Sequence, residues 1–275
     1  MVWLKRNNLL FQKIGGCLVN TFFGLSVLLI LWIVARVFFI TSFKVPTGSM
    51  EPTVMPGDRV WVNKLIPGPR LFNLFAALRT EQVDIYRIPG VRKIKRNDVV
   101  VFNMPYPRDE NTMEMHIMRY YIKRCIGLPG DTLQIRKGRY EVRGIAIDLG
   151  NIDAQRRLGY KDKGRERIRY CFPFDSVMGW NMLEFGPMYI PRKGDAIRMS
   201  YIHYLSYKNL IEWEMQETLT CRDSVVYLNN QPVNEYTFKK NYYFMAGDNV
   251  ESSKDSRYWG LAPEEYLVGK VLFIR

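Results

Sequence analysis

The feature that most restricts this chain is an uncharged run near its start. From Ile14 to Ala35 it reads IGGCLVNTFFGLSVLLILWIVA, without a single Asp, Glu, Lys or Arg. About 20 apolar helical residues suffice to cross a hydrocarbon core of about 30 Å. A segment apolar on every side offers water no face, so a membrane helix is expected here. The run exceeds the h-region of about 7–15 residues in a cleaved signal peptide, and no A-x-A site closes it, so a retained anchor is expected at 14–36. Lys5, Arg6 and Lys13 precede it. By the positive-inside rule residues 1–13 stay in the cytoplasm, and everything past Arg36 faces the other side. Arg36 sits where a long side chain can snorkel to the interface. Val37–Phe43 (VFFITSF) stays apolar, so the chain is expected to leave the bilayer gradually, close to its surface.

With 47% hydrophobic and 24% charged residues over its whole length, the chain is expected to fold rather than stay disordered. The net charge of +13 admits nucleic acid, an anionic membrane, or no particular partner. Arg136–Arg143 and Arg156–Arg169 are dense in Arg and Lys but carry no recognised nucleic-acid motif, so a solvated face or contact with anionic lipid is expected. Histidine restricts the chemistry more. Only His116 and His203 occur, which excludes a His-rich metal site and points any hydrolase toward another base. No metal and no cofactor are expected. None of Cys17, Cys125, Cys171 and Cys221 forms a CxxC pair. Cys171 and Cys221 could pair in an oxidising compartment, since spacing alone does not set connectivity. Cys125, beside Lys123 and Arg124, reads either as an activated thiol or as a small buried hydrophobe.

Past the anchor, β-branched and aromatic runs alternate with turn residues. Asp58–Val62, Val99–Asn103, Tyr120–Ile126 and Leu267–Ile274 read as strands, punctuated by Pro-Gly at 56–57, 89–90 and 129–130. The pattern favours a mostly β, antiparallel fold over βαβ units. Leu71–Leu78 reads as a short helix, either at the membrane or in the core. From Gln134 to Lys240 the apolar runs shorten while aromatic residues persist, so 134–240 is expected as an inserted β-rich region. The core would then comprise 37–133 and 241–275.

Three segments carry candidate chemistry. Phe43 to Thr53 (FKVPTGSMEPT) sets Ser49 in a Pro/Gly-rich loop about thirteen residues past the anchor, hence within about 45 Å of the bilayer even if fully extended. Tyr121 to Asp131 (YIKRCIGLPGD) places Lys123 and Arg124 on opposite faces of a strand, so that one can be buried while the other is exposed. Burial lowers a lysine pKa, and a neutral lysine can act as a general base; an exposed strand lysine is the alternative. Met245 to Gly260 (MAGDNVESSKDSRYWG) is a polar loop in which Asp255 and Arg257 are spaced to pair with each other or with neighbouring strands. A long hairpin loop is its plainer reading.

In this order behind an anchor, these segments resemble the sequence boxes of bacterial type I signal peptidases, membrane-bound Ser/Lys endopeptidases. Lys95–Phe102 (KRNDVVVF) is similar to a further box, usually RGD followed by apolar residues, with Asn97 in place of the glycine. The resemblance covers about a quarter of the chain and does not extend residue by residue into 134–240. It implies an antiparallel β-sheet catalytic core of signal-peptidase type. It also implies Ser49 as nucleophile, Lys123 as base, and an oxyanion hole from the Ser49 N–H and the Thr47 hydroxyl. Ser253 would orient the lysine amine, Asp255 and Arg257 would shape the loop as an ion pair, and Gly247 would permit close backbone approach.

The family cleaves signal peptides from exported pre-proteins after small residues. Phe43, Val45, Met50, Tyr121 and Ile122 match pocket-lining positions, with core packing as the alternative for all five. The expected partners are signal peptides and the lipid bilayer, not nucleic acid. A monomer in the bacterial cytoplasmic membrane is expected, with the catalytic domain on the outer face. Two rival readings use the same scaffold. A self-cleaving repressor-type Ser/Lys protease would carry a DNA-binding module where this chain has its anchor. A tethered, non-catalytic binding protein would not need the intact Thr47, Ser49, Lys123 and Ser253 set.

Overall fold

The computed structural model describes residues 2–73, 75, 76, 79, 83, 85–106, 112–161 and 169–275, with side chains from residue 15 onward except that of Lys161. A helix, α1 (Val2–Val34), runs into one π-helical turn, Ala35–Phe39, and then directly into strand β1 (Ile40–Lys44). Gly15–Phe39 is a predominantly apolar span in which Arg36 is the one charged residue, with a mean hydropathy of 2.4 and none of it buried against the protein. At 1.5 Å per residue those 25 residues reach about 37 Å, enough to span a bilayer. Within the stretch Val37–Phe43 the π turn gives way to strand at Ile40. The side chains of Lys5, Arg6 and Lys13 lie outside the described residues, as does part of the expected Leu71–Leu78 helix.

Among the described residues, seven strands form an antiparallel sheet in the order β1, β2 (Arg59–Asn63), β17 (Leu267–Ile274), β5 (Val99–Asn103), β6 (Tyr120–Gly127), β15 (Tyr242–Ala246) and β16 (Ala262–Pro263). The expected strand runs all fall in it. β5 is central, and its residues alternate between two apolar layers. Val100 and Phe102 enter the main core with Ile126, Phe244, Trp259 and Tyr266. Val101 points the other way, into a smaller cluster with Val45, Met50, Val54, Val60, Val62, Ile122, Val268 and Val271.

Shorter sheets pack around this one. They are β3 (Arg70–Leu71) with β4 (Tyr86–Arg87), and β8 (Arg139–Val142) with β7 (Thr132–Arg136) and β9 (Phe185–Tyr189). The others are β10 (Ala196–Arg198) with β14 (Glu235–Thr237), and β11 (Leu219–Arg222) with β12 (Val225–Leu228) and β13 (Gln231–Pro232). The stretch expected as β-rich also holds two helices, α2 (Ile152–Lys161) and α3 (Tyr201–Met215). α3 starts at Ser200, whose side chain accepts from His203 N, and buries Ser206, Tyr207, Leu210 and Ile211. All four cysteines are free; Cys125 and Cys171 are buried and Cys221 is half-buried. Burial pushes the Cys125 thiol far up, so it is an inert core residue.

Asn97, the departure from the RGD pattern, has a left-handed backbone with φ of 67°. Asparagine tolerates this region better than most residues, so it can stand where glycine would. It also does what glycine cannot. Its Nδ2 donates to Asp148 O (2.8 Å) and its Oδ1 accepts from Gly150 N (2.8 Å). Asn97→Ala should lower stability by about 2 kcal/mol, through backbone strain and two lost hydrogen bonds. Asn97→Gly, which keeps the backbone, should lose about half as much; equal denaturant midpoints for the two variants would contradict this account.

Candidate active site

The two candidate residues come from segments 74 positions apart in the chain. Ser49 lies in the loop after β1, held by Val45 N to Asp58 O (2.8 Å) and Gly57 N to Val45 O (2.8 Å). Lys123 is on β6, opposite Val100 of β5. Its Nζ is 2.5 Å from Ser49 Oγ and 5.9 Å from the centre of the Tyr121 ring. Lys123 is 2% exposed. Burial pushes its amine down from 10.5 to about 8; Asp255 opposes the shift, Arg257 adds to it and Asp248 opposes it. A lysine with this value is substantially neutral near pH 8 and can accept a proton from the hydroxyl it touches.

The 245–260 loop closes over this pair. Gly247 follows β15 so tightly that a Cβ there would sit 2.4 Å from Ser49 O and 2.2 Å from Ser253 Oγ. No side chain fits. Asp255 and Arg257 are both fully buried and pair with each other, Nη2 to Oδ2 at 2.8 Å and Nε to Oδ1 at 2.9 Å. Asp255 also accepts from Gly247 N (3.0 Å), and Arg257 donates to Val250 O (2.8 Å). Burial alone would raise the Asp255 carboxyl, but the Arg257 charge and these hydrogen bonds hold it below its usual range. Ser253 is buried beside Gly247, and its Oγ has no hydrogen-bond partner among the described residues, the Lys123 amine included. Thr47 is exposed at the mouth. Val45, Met50 and Ile122 are buried in the smaller cluster, with Phe43 half-buried against it, whereas Tyr121 lies opposite Phe102 on the other face of β6 and keeps exposed surface.

Two residues of this site had no role in the sequence reading. Asn249 clamps the serine loop, its N donating to Ser49 O (3.1 Å) and its Nδ2 to Gly48 O (3.1 Å). Asp248 is fully buried and takes a two-point contact from Arg124, Nε to Oδ1 at 2.7 Å and Nη2 to Oδ2 at 2.5 Å. Arg124 also donates to Asn97 O (2.8 Å) and Thr53 Oγ1 (3.3 Å), so one guanidinium ties three segments together. The sequence signal was the alternation that sends Arg124 away from Lys123; its partner was not readable.

A serine and a buried amine in contact suit a hydrolase that needs no histidine. The family model described as signal peptidase, peptidase S26, matches residues 18–275. The chain belongs to this family. It is a peptidase, one of a family that removes signal peptides. Signal peptidase I of Buchnera aphidicola subsp. Baizongia pistaciae is 28% identical to it over 278 residues, covering 93% of this chain and 76% of that one. Signal peptidase I of Pseudomonas aeruginosa is 28% identical over 252 residues, covering 88% and 66%. That of Aquifex aeolicus is 24% identical over 255 residues, covering 91% and 80%. One N-terminal apolar helix, as found here, fits a membrane-bound member of the family.

The lysine has a consequence for stability. Between about pH 8 and 10.5 the native protein binds fewer protons than the unfolded chain, so stability rises with pH across that window. Below pH 8 the full cost of burying the charge is present, about 3 kcal/mol. Lys123→Met should therefore raise the Tm at pH 6–7, with the difference shrinking as pH approaches 10. Thermal unfolding across this range checks it; a variant less stable than wild type at pH 6 would contradict it.

Proposed function

We propose that this peptidase uses a Ser49/Lys123 dyad to cut signal peptides from exported pre-proteins after small residues. The observation that carries the reading is the contact between the Lys123 amine and the Ser49 hydroxyl, away from water. Neutral Lys123 takes the proton as Ser49 Oγ attacks the scissile carbonyl. The ammonium then protonates the leaving amine as the C–N bond breaks, leaving an acyl-serine. Lys123, neutral again, takes a proton from the water that attacks the ester, and returns it to Ser49 as the new acid leaves. The Ser49 N–H and the Thr47 hydroxyl would receive the developing oxyanion. Gly247, Asn249 and the Asp255–Arg257 pair hold the serine and lysine in register. Ser253, buried beside Gly247, would steady the amine once substrate excludes water.

The extended substrate strand would lie across Phe43 and Tyr121, with Val45, Met50 and Ile122 as an apolar floor that leaves room only for small side chains. The anchor would hold the site on the outer face of the cytoplasmic membrane, with Lys5, Arg6 and Lys13 inside. Residues 134–240 would form an insert in a core made of 37–133 and 241–275.

Detergent-solubilised protein should cleave a pre-protein bearing an A-x-A site, and Ser49→Ala and Lys123→Met should each lose about three orders of magnitude or more in kcat/KM. Either variant cutting at the wild-type rate would sink the dyad. Activity should fall about tenfold per pH unit below pH 8, as Lys123 becomes protonated; a flat profile from pH 9 to 5 would exclude a lysine base. Protease added to intact spheroplasts should digest the region after Phe43, and its protection would reverse the topology.

A further inference from the structure

The strands nearest the anchor carry cations that peptide cleavage does not use. Pairing of β1 with β2 sets Ser42 opposite Trp61 and Lys44 opposite Arg59, and β17 sets Phe273 opposite Trp61 on its other side. Residues opposite one another on adjacent strands share a face. Trp61 and Phe273 stack there with ring centroids 5.6 Å apart, and Phe273 is 52% exposed. Aromatic rings mixed with cations are the composition of a membrane–water interface.

Two guanidiniums converge on one hydroxyl at this face. Arg36 Nη1 is 3.4 Å and Arg59 Nη1 is 3.1 Å from Ser42 Oγ. Arg36 also lies over the Trp32 ring at 5.7 Å, which ties it to the last turns of the membrane helix. A third cation is close by. Lys64 Nζ donates to the carbonyls of Arg36 (2.9 Å) and Val37 (3.2 Å), and burial, then the charges of Arg70 and Arg36, push it down to about 8. Among the described residues no carboxylate pairs with Arg36, Arg59 or Lys64. A neutral hydroxyl cannot offset two like charges, whereas an anion between them would. Guanidinium forks match phosphate oxygens, and a serine hydroxyl can add a third donor.

We propose that Arg36, Ser42 and Arg59 form a binding site for the phosphate of an anionic phospholipid headgroup. The inference rests on the reading of α1 as a membrane anchor. A lipid is favoured over free phosphate by position: Arg36 ends the membrane helix, and exposed Val37, Phe39 and Ile40 beside it offer acyl chains an apolar surface. The bound headgroup fixes the height of β1 at the bilayer, and with it the Ser49 loop that β1 leads into.

The test uses the full chain in nanodiscs of phosphatidylcholine with a minor fraction of phosphatidylglycerol, counting lipids retained by native mass spectrometry. Wild type should retain phosphatidylglycerol about twenty-five-fold beyond its share, roughly fivefold for each arginine. The R36Q/R59Q double variant should retain it only in proportion, and Ser42→Ala should show a smaller loss. A charge-matched R198Q/R222Q control should keep the enrichment, as should added inorganic phosphate. Cleavage of a signal peptide in detergent should persist in R36Q/R59Q, which reports that it is folded. No enrichment in wild type, enrichment unchanged in R36Q/R59Q, or displacement by inorganic phosphate would overturn the site. Flotation with pure phosphatidylcholine vesicles separates the two readings: its loss in wild type overturns the anchor, while intact flotation without enrichment overturns the headgroup site alone.

Discussion

An amine kept out of water beside a hydroxyl is the condition the rest of this fold has to satisfy. Lys123 reaches Ser49 only because β6 is an interior strand, flanked by β5 and β15 and covered by the 245–260 loop. Burial depresses the amine, and no nearby carboxylate is close enough to reverse that. Had Asp255 been free to pair with Lys123, the amine would have stayed charged and useless as a base near neutral pH. Arg257 engages both Asp255 oxygens, so one buried ion pair leaves the amine free to lose its proton near pH 8.

Buried ion pairs seldom add much net stability, because desolvation offsets most of their attraction; their value is geometric. Here two of them order one loop. Arg124–Asp248 joins β6 to the start of the loop and reaches Asn97 and Thr53. Asp255–Arg257 folds its far end back onto Gly247. Between these fixed points Asn249 holds the Gly48–Ser49 backbone. The serine is thus positioned by main-chain contacts on a loop that would otherwise be free to move, which matters because misplacement by about 1 Å can lower a rate by about a hundredfold.

The same strand order connects chemistry to membrane. β1 leaves the apolar helix within one residue and leads within five residues to Ser49. On the proposed reading, a site this near the apolar helix would suit a substrate that itself carries an apolar segment, and the exposed face of β1, β2 and β17, with its aromatic rings and arginines, would lie toward the bilayer.

Much of this was legible from local pattern. The anchor shows as an unbroken uncharged run and the sheet strands as β-branched runs between Pro-Gly turns, while the candidate dyad was legible only through the resemblance of the serine loop and the lysine strand to signal-peptidase boxes. The helices in 134–240 were not, because α3 buries Ser206 and Tyr207 alongside Leu210 and Ile211, which blurs the apolar period that marks a helix. Asn97 looked like a departure and proved to be a left-handed residue with two side-chain bonds. The sequence by itself determined the membrane helix, the antiparallel class and the residue types available for catalysis, since these depend on composition and short-range periodicity. Only the tertiary structure decided how deeply Lys123 is buried, that Asp248 partners Arg124, and that Asn249 holds the nucleophile loop. Those outcomes depend on contacts between segments up to about two hundred residues apart, and on how deeply each group is withdrawn from water.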